Sequence, residues 1–169
     1  MPRAISFGYR TSTRSLFSPD ADLLFLIIAH ESLDPSIRVV NDTVDYRIGD
    51  ELYTGFPFEI SLLSDTDEPP RAQLSIQNVD RRIGDTIQSI STPARMFLSL
   101  ASSSDFDLTV RPRVALGEPS IEYEANYLFL ANVHVDAMMV TGDIMGWDFG
   151  QRVWPYRRAT KAALPGLYR

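Results

Sequence analysis

IEYEANYLFLANVHV, residues 121–135, alternates without a break: Ile121, Tyr123, Ala125, Tyr127, Phe129, Ala131, Val133 and Val135 take every odd position. A period of two is the repeat of a pleated strand, whose successive side chains point to opposite faces. The even positions start polar with Glu122, Glu124 and Asn126, turn apolar at Leu128 and Leu130, and end polar at Asn132 and His134. The expectation is one strand of roughly 45–50 Å at 3.3 Å per residue. Its middle is covered on both sides and its ends are wet on the even face. So long a strand needs neighbours to pair with.

The rest of the sequence supplies them. Leu23–Ala29 and Met96–Ala101 are near-continuous apolar runs, as expected of strands buried on both faces. Leu52, Phe56, Phe58, Ile60 and Leu62 share one face of a strand over 51–63, and Phe106, Leu108 and Val110 alternate until Pro112. Gly49-Asp50 between VDYRI and ELYTGF reads as a two-residue hairpin loop. SDTDEPPR (64–71) reads as an exposed loop, and Leu116–Pro119 and Thr141–Asp143 as turns. Strands are thus expected near 22–30, 37–47, 51–63, 71–78, 94–101, 105–114, 121–135 and 137–144. Helical spacing is confined to about 4–16 and to 81–90, where Ile83, Ile87 and Ile90 follow the alternating Ala72, Leu74 and Ile76. The expected fold class is mainly β: a single domain over 1–169, a β-sandwich or partly closed barrel with one embedded α-helix.

Composition narrows the function. The chain has 169 residues, 44% of them apolar, and no apolar run long enough to span a bilayer. Membrane insertion is not expected, and MPRAISFGYRTSTRS lacks the apolar stretch of a secretory signal. Without cysteine there is neither a disulfide framework nor a thiolate zinc site. Net charge is −6, which argues against a general nucleic-acid binder. The charge is also segregated. Residues 18–150 hold all 22 acids and only eight bases, whereas 1–17 and 151–169 carry the other eight bases and no acid. Basic arms that dock on an acidic body, their own or a neighbour's, are the expected consequence.

The candidate chemical groups read as structural. Asp80 precedes the helical repeat and is placed to cap its first turn, while Asn78, Arg81 and Arg82 punctuate the junction. His30 and His134 sit near strand ends. Neither has the nucleophile turn that acyl chemistry needs, and no spacing supplies three metal ligands. Asp42/Asp45, Asp65/Asp67/Glu68 and Asp105/Asp107 fall in turn-like polar runs and are expected to be solvated. The nine glycines form no phosphate-binding loop. No catalytic residue, metal or cofactor is expected. Trp147, Phe149, Trp154, Tyr156 and Tyr168, interleaved with bases, suit either a sugar-binding platform or a subunit contact. The favoured reading makes Arg152, Trp154, Tyr156, Arg157, Arg158 and Lys161 an oligomer interface.

Four segments in order carry a resemblance: Arg38-Val39-Val40-Asn41-Asp42, Pro57-Phe58-Glu59-Ile60, Ile76 through Arg81, and Leu164 through Leu167. Together they resemble a family of small tailed-bacteriophage tail proteins long catalogued as a domain of unknown function. Leu164 stands where an aromatic is common. The resemblance spans about 22–167 and implies a structural virion protein of the tail tip. By analogy of gene order, it implies a distal-tail ring, usually hexameric, on a tail-tube-like β-sandwich. The implied partners are further copies of the chain, the tail tube protein, the tape measure protein and the tail hub or receptor-binding proteins. DNA would be only transiting cargo, in a channel whose carboxylates do not hold phosphate. The alternative is a carbohydrate-binding β-sandwich module of the tail tip.

Overall fold

The computed structural model describes residues 5–60, 71–77, 92–136 and 138–146; Arg71 and Tyr127 are described by backbone alone. In chain order the elements are helix α1 (Phe7–Arg14), β1 (Asp22–Ala29), β2 (Ile37–Val40), β3 (Tyr46–Ile48), β4 (Glu51–Gly55) and β5 (Phe58–Ile60). After these come β6 (Arg71–Gln77), β7 (Ala94–Ser102), β8 (Phe106–Asp107), β9 (Arg113–Ala115), β10 (Ile121–Val135) and β11 (Met139–Gly146). The strands form one sheet in the order β5-β6-β11-β10-β7-β1-β2-β4-β3-β9-β8. All pairings are antiparallel except β2–β4 and β3–β9.

The protein is mainly β, and its large sheet is not closed into a barrel. It is sandwich-like because both faces of the central strands are covered. On β1, Leu26 and Ile28 join one apolar cluster while Leu23 and Phe25 join another. β2 divides the same way, with Val39 in the first cluster and Val40 in the second. The first cluster also takes Phe58, Leu74, Ile76, Leu128, Leu130, Val140 and Ile144, so the β5–β6–β11–β10 flank covers one face of the centre. The second takes Tyr46, Tyr53 and Phe106 from the other flank. There Phe25 meets Tyr53 and Tyr46 edge-on and stacks on Phe106, with ring centroids 5.1, 5.9 and 5.6 Å away. These are favoured aromatic geometries. The near-continuous apolar runs expected at 22–30 and 94–101 become β1 and β7, which face both cores as β2 does.

β10 spans 121–135 as its alternation predicts, but the odd positions are not one face. Its register breaks between Ala125 and Leu128 against β7, and between Ala131 and His134 against β11. Each bulge shifts the parity of the inward side chains. The residues packed in the first cluster are therefore Tyr123 and Ala125, then Leu128 and Leu130, then Val133 and Val135. Asn132 at the second bulge adopts φ 50. A further break between Ile121 and Tyr123 leaves Ile121 exposed and Glu122 buried, contrary to the wet even face expected there.

Three other expectations need correction. The 37–47 run is two strands, β2 and β3, because side chains of the intervening Asn41, Asp42 and Asp45 bond groups elsewhere in the fold. The 51–63 run breaks at Phe56-Pro57, where proline has no N–H for a ladder. The break reverses the inward parity. Tyr53 and Phe58 are buried, while Leu52, expected in the core, is 45% exposed. Leu62 and the helical 81–90 stretch lie outside the described residues. The 105–114 segment likewise resolves into β8 and β9 around a turn. The Gly49-Asp50 hairpin is present, with Ile48 opposite Glu51 and Gly49 at φ 59, a conformation suited to glycine.

Candidate assembly surface

Helix α1 is built from poor helix formers, including Gly8, Thr11 and Thr13, and buries no residue. An eight-residue helix of this kind does not hold itself in water. Its N-terminus is held instead. Ser6 Oγ accepts from the Tyr9 N–H at 3.1 Å, and the Ser6 N–H donates to Glu122 Oε2 at 2.8 Å. Glu122 is only 7% exposed and sits at the positive end of the helix, where a carboxylate is favoured. Burial, then the charge and hydrogen bond of Asp22, then the charge of Glu122 raise the Tyr9 pKa above its usual value. The first basic arm thus meets the acidic body of its own chain through Ser6 and Tyr9.

The outer side of that arm is uncovered. Phe7, Arg10, Thr11 and Arg14 form an i, i+3, i+4, i+7 stripe and line one shallow concavity with Ser15. Phe7 is 85% exposed, and just beyond the helix Leu16 and Phe17 are 96% and 93% exposed.

A second feature lies at the other end of β1. The 30–37 turn and the β3–β4 hairpin border a groove of about 800 Å³, whose lining includes Asp34, Asp50 and Glu51 together with Leu52 and Phe56. Arg38 crosses it with Nη2 2.6 Å from Glu51 Oε1, while Arg38 Nε is buried with no acceptor among the described residues. Three carboxylates against one guanidinium leave the walls acidic.

A polar lock ties the turn after β2 to β3 and β9. Asp42 Oδ2 accepts from the buried Tyr46 hydroxyl and from Arg113 Nη1, both at 2.7 Å. Arg113 also bonds the Tyr46 oxygen. Asn41 Oδ1 accepts from the Phe58 N–H at 3.4 Å and Asp45 Oδ1 from the Gly55 N–H at 2.9 Å. Asp42 and Asp45 are therefore not the solvated pair expected. Burial pushes the Asp42 carboxyl up, but Tyr46, Thr43 and Arg113 outweigh it and hold the pKa below the usual range. Burial first, then the Asp42 hydrogen bond, push the Tyr46 phenol up to about 12.

Residues 13–158 match the family DUF1833, described as a domain of unknown function. The chain belongs to the DUF1833 family. The match begins inside α1, so Phe7 and Arg10 precede it, and it takes in both ends of the polar lock. No curated protein matches the chain.

Several positions singled out in this DUF1833 chain lie outside the described residues: Asp80 with its junction, Asp65, Asp67 and Glu68, the aromatics from Trp147 to Tyr168, and the expected interface of Arg152, Trp154, Tyr156, Arg157, Arg158 and Lys161. His30 follows β1, with Nδ1 accepting from the Ser32 N–H at 3.0 Å and Nε2 2.6 Å from Thr92 Oγ1. His134 lies on β10 opposite Thr141. No group of three metal-ligating side chains occurs among the described residues. Of the sequence signals, the basic arm pointed toward the outer face of α1. Glu122 and the groove went unread because a bulge and a long-range juxtaposition create them.

Proposed function

We propose that this DUF1833 chain is a structural virion protein of a tailed bacteriophage, forming a ring at the distal tail that joins the tail tube to the receptor-binding tip. The observation that carries the reading is the outer face of α1. A helix that buries nothing of its own displays Phe7 to solvent, with Leu16 and Phe17 exposed just beyond it, and the remedy is another protein. The charge segregation supports the same reading: acids concentrated in the body and bases at both ends give the unlike patches that a head-to-tail ring needs. The tail location rests on the four-motif resemblance. The tail tube, tape measure and hub proteins are the neighbours that this role entails.

Native mass spectrometry of the full chain, with negative-stain images of the particles, is the test. One closed oligomer with a central opening is the expected result. A chain that remains monomeric at tens of micromolar overturns the ring. Deleting 152–169 is expected to leave a folded chain that no longer assembles; an intact oligomer would remove those residues from the interface.

A further inference from the structure

We infer that the clasp of the assembly is α1 of one copy seated in the acidic groove at the far end of β1 of the next copy. The inference rests on the ring reading and names the surfaces that make it. The two features are complementary in kind. The arm offers Arg10 and Arg14 beside Phe7, with Leu16 and Phe17 following, while the groove offers Asp34 and Asp50 beside Leu52 and Phe56. Leu52, turned outward by the parity change at Phe56-Pro57, gains an apolar neighbour.

Position argues for a neighbour as the occupant. The arm is tied down at Glu122 and Asp22, where β10 and β1 begin, and the groove lies where β1 ends and β2 begins. An eight-residue strand separates them by about 23 Å at 3.3 Å per residue. Eight residues of helix cover only about 12 Å. With Ser6 bonded to Glu122, α1 does not reach its own groove. Two unlike patches at opposite ends of a molecule give a heterologous contact, which propagates from copy to copy and closes where the rotation permits.

The absence of cysteine makes the test clean. Full-length Thr11→Cys and Leu52→Cys chains are mixed and oxidised, with Thr11→Cys mixed with Glu118→Cys as the control. A disulfide-linked heterodimer that exceeds the control at least tenfold is expected. Arg10→Glu with Arg14→Glu is expected to shift the native mass to monomer, with unchanged far-ultraviolet dichroism. Addition of an Asp34→Arg, Asp50→Arg chain is expected to restore mixed oligomers.

Control-level cross-linking within a wild-type ring overturns the clasp and leaves the ring standing. A wild-type chain that never assembles overturns both. A Thr11→Cys, Leu52→Cys double variant that closes within one monomer overturns the inference, because the arm then fills its own groove. Cross-linking of Leu52→Cys to Tyr156→Cys but not to Thr11→Cys overturns it as well, and gives the groove to the C-terminal segment.

Discussion

Glu122 accepts a hydrogen bond from the backbone N–H of Ser6 at 2.8 Å, joining the cap of α1 to β10 across 116 positions of sequence. The bond puts a buried carboxylate at the start of a helix that buries no residue of its own. Replacing Glu122 with Ala is expected to cost about 1.5–3 kcal/mol, the range for a hydrogen bond to a charged group. The effect should be local. Amide exchange across Ser6–Ser15 is expected to accelerate at least tenfold while β1 and β7 keep their protection. Glu122→Gln retains an acceptor oxygen and is expected to lie between the two. Uniform loss of protection would show that Glu122 supports the sheet rather than the arm.

The Asp42–Tyr46–Arg113 lock predicts a stability profile that falls at both ends of the pH scale. The Asp42 pKa is lower in the folded chain than in the unfolded chain, so its stabilisation is complete above the unfolded value and disappears as pH drops through the folded one. Tyr46 has the opposite sign. Its pKa rises to about 12, so its contribution is present below 10 and disappears as pH climbs toward 12. Urea midpoints measured across pH are expected to show a shallower acid limb for Asp42→Asn, with a loss of about 1–2 kcal/mol at neutral pH. Tyr46→Phe should reduce the alkaline limb without removing it, because Tyr53 and Tyr9 are also raised, chiefly by burial. Parallel wild-type and Asp42→Asn curves below pH 5 would mean that the lock has no electrostatic part.

The strand pattern was legible because β1, β7 and β10 obey local rules: unbroken apolar runs where both faces are covered, alternation where the chain is pleated. What local rules do not encode is where alternation changes face. Odd positions 121–135 look like a single face, yet Leu128 and Leu130 are the deeply buried pair, because two bulges reset the parity around them. Leu52 and Tyr53 exchange expected roles for a related reason, the break at Phe56-Pro57. Asp42 and Asp45 looked like solvated turn residues because Arg113, which pairs with Asp42, is 71 positions away. The arm was visible as a run of bases without acids. Its exposed Leu16-Phe17 pair is the stronger mark, and no periodicity announces it.

Gly55 marks a second place where the backbone rather than a side chain sets the constraint. A Cβ on Gly55 would lie 2.6 Å from the carbonyl oxygen of Val44, inside any tolerated contact and against main chain. Gly55 also donates its N–H to Asp45 at the same crossing. Gly55→Ala is expected to destabilise by about 1–3 kcal/mol through enforced backbone movement, despite the usual entropic advantage of alanine. Thermal denaturation beside Gly117→Ala supplies the comparison, since a Cβ at Gly117 meets nothing. Equal effects at the two sites would remove the close approach as a constraint.

The bulge at Asn132 tests the parity reading directly. Asn132 holds φ 50 and donates its Nδ2–H to Asp143 Oδ2 on β11 at 2.9 Å, so the side chain braces the conformation that turns Val133 and Val135 back to the core. Asparagine tolerates this region better than other non-glycine residues, and a β-branched side chain is a true outlier in it. Asn132→Val is therefore expected to cost about 1–2 kcal/mol, whereas Asn132→Gly loses one exposed hydrogen bond but relieves the backbone and should be close to neutral. Deleting Asn132 removes the extra residue. The strand must then either expose Val133 and Val135 or slip against β11, and a loss of several kcal/mol with a lowered urea midpoint is expected. A deletion variant as stable as Asn132→Gly would mean that the face of β10 is set elsewhere, and that the bulge follows from the packing of Val133 and Val135 rather than causing it.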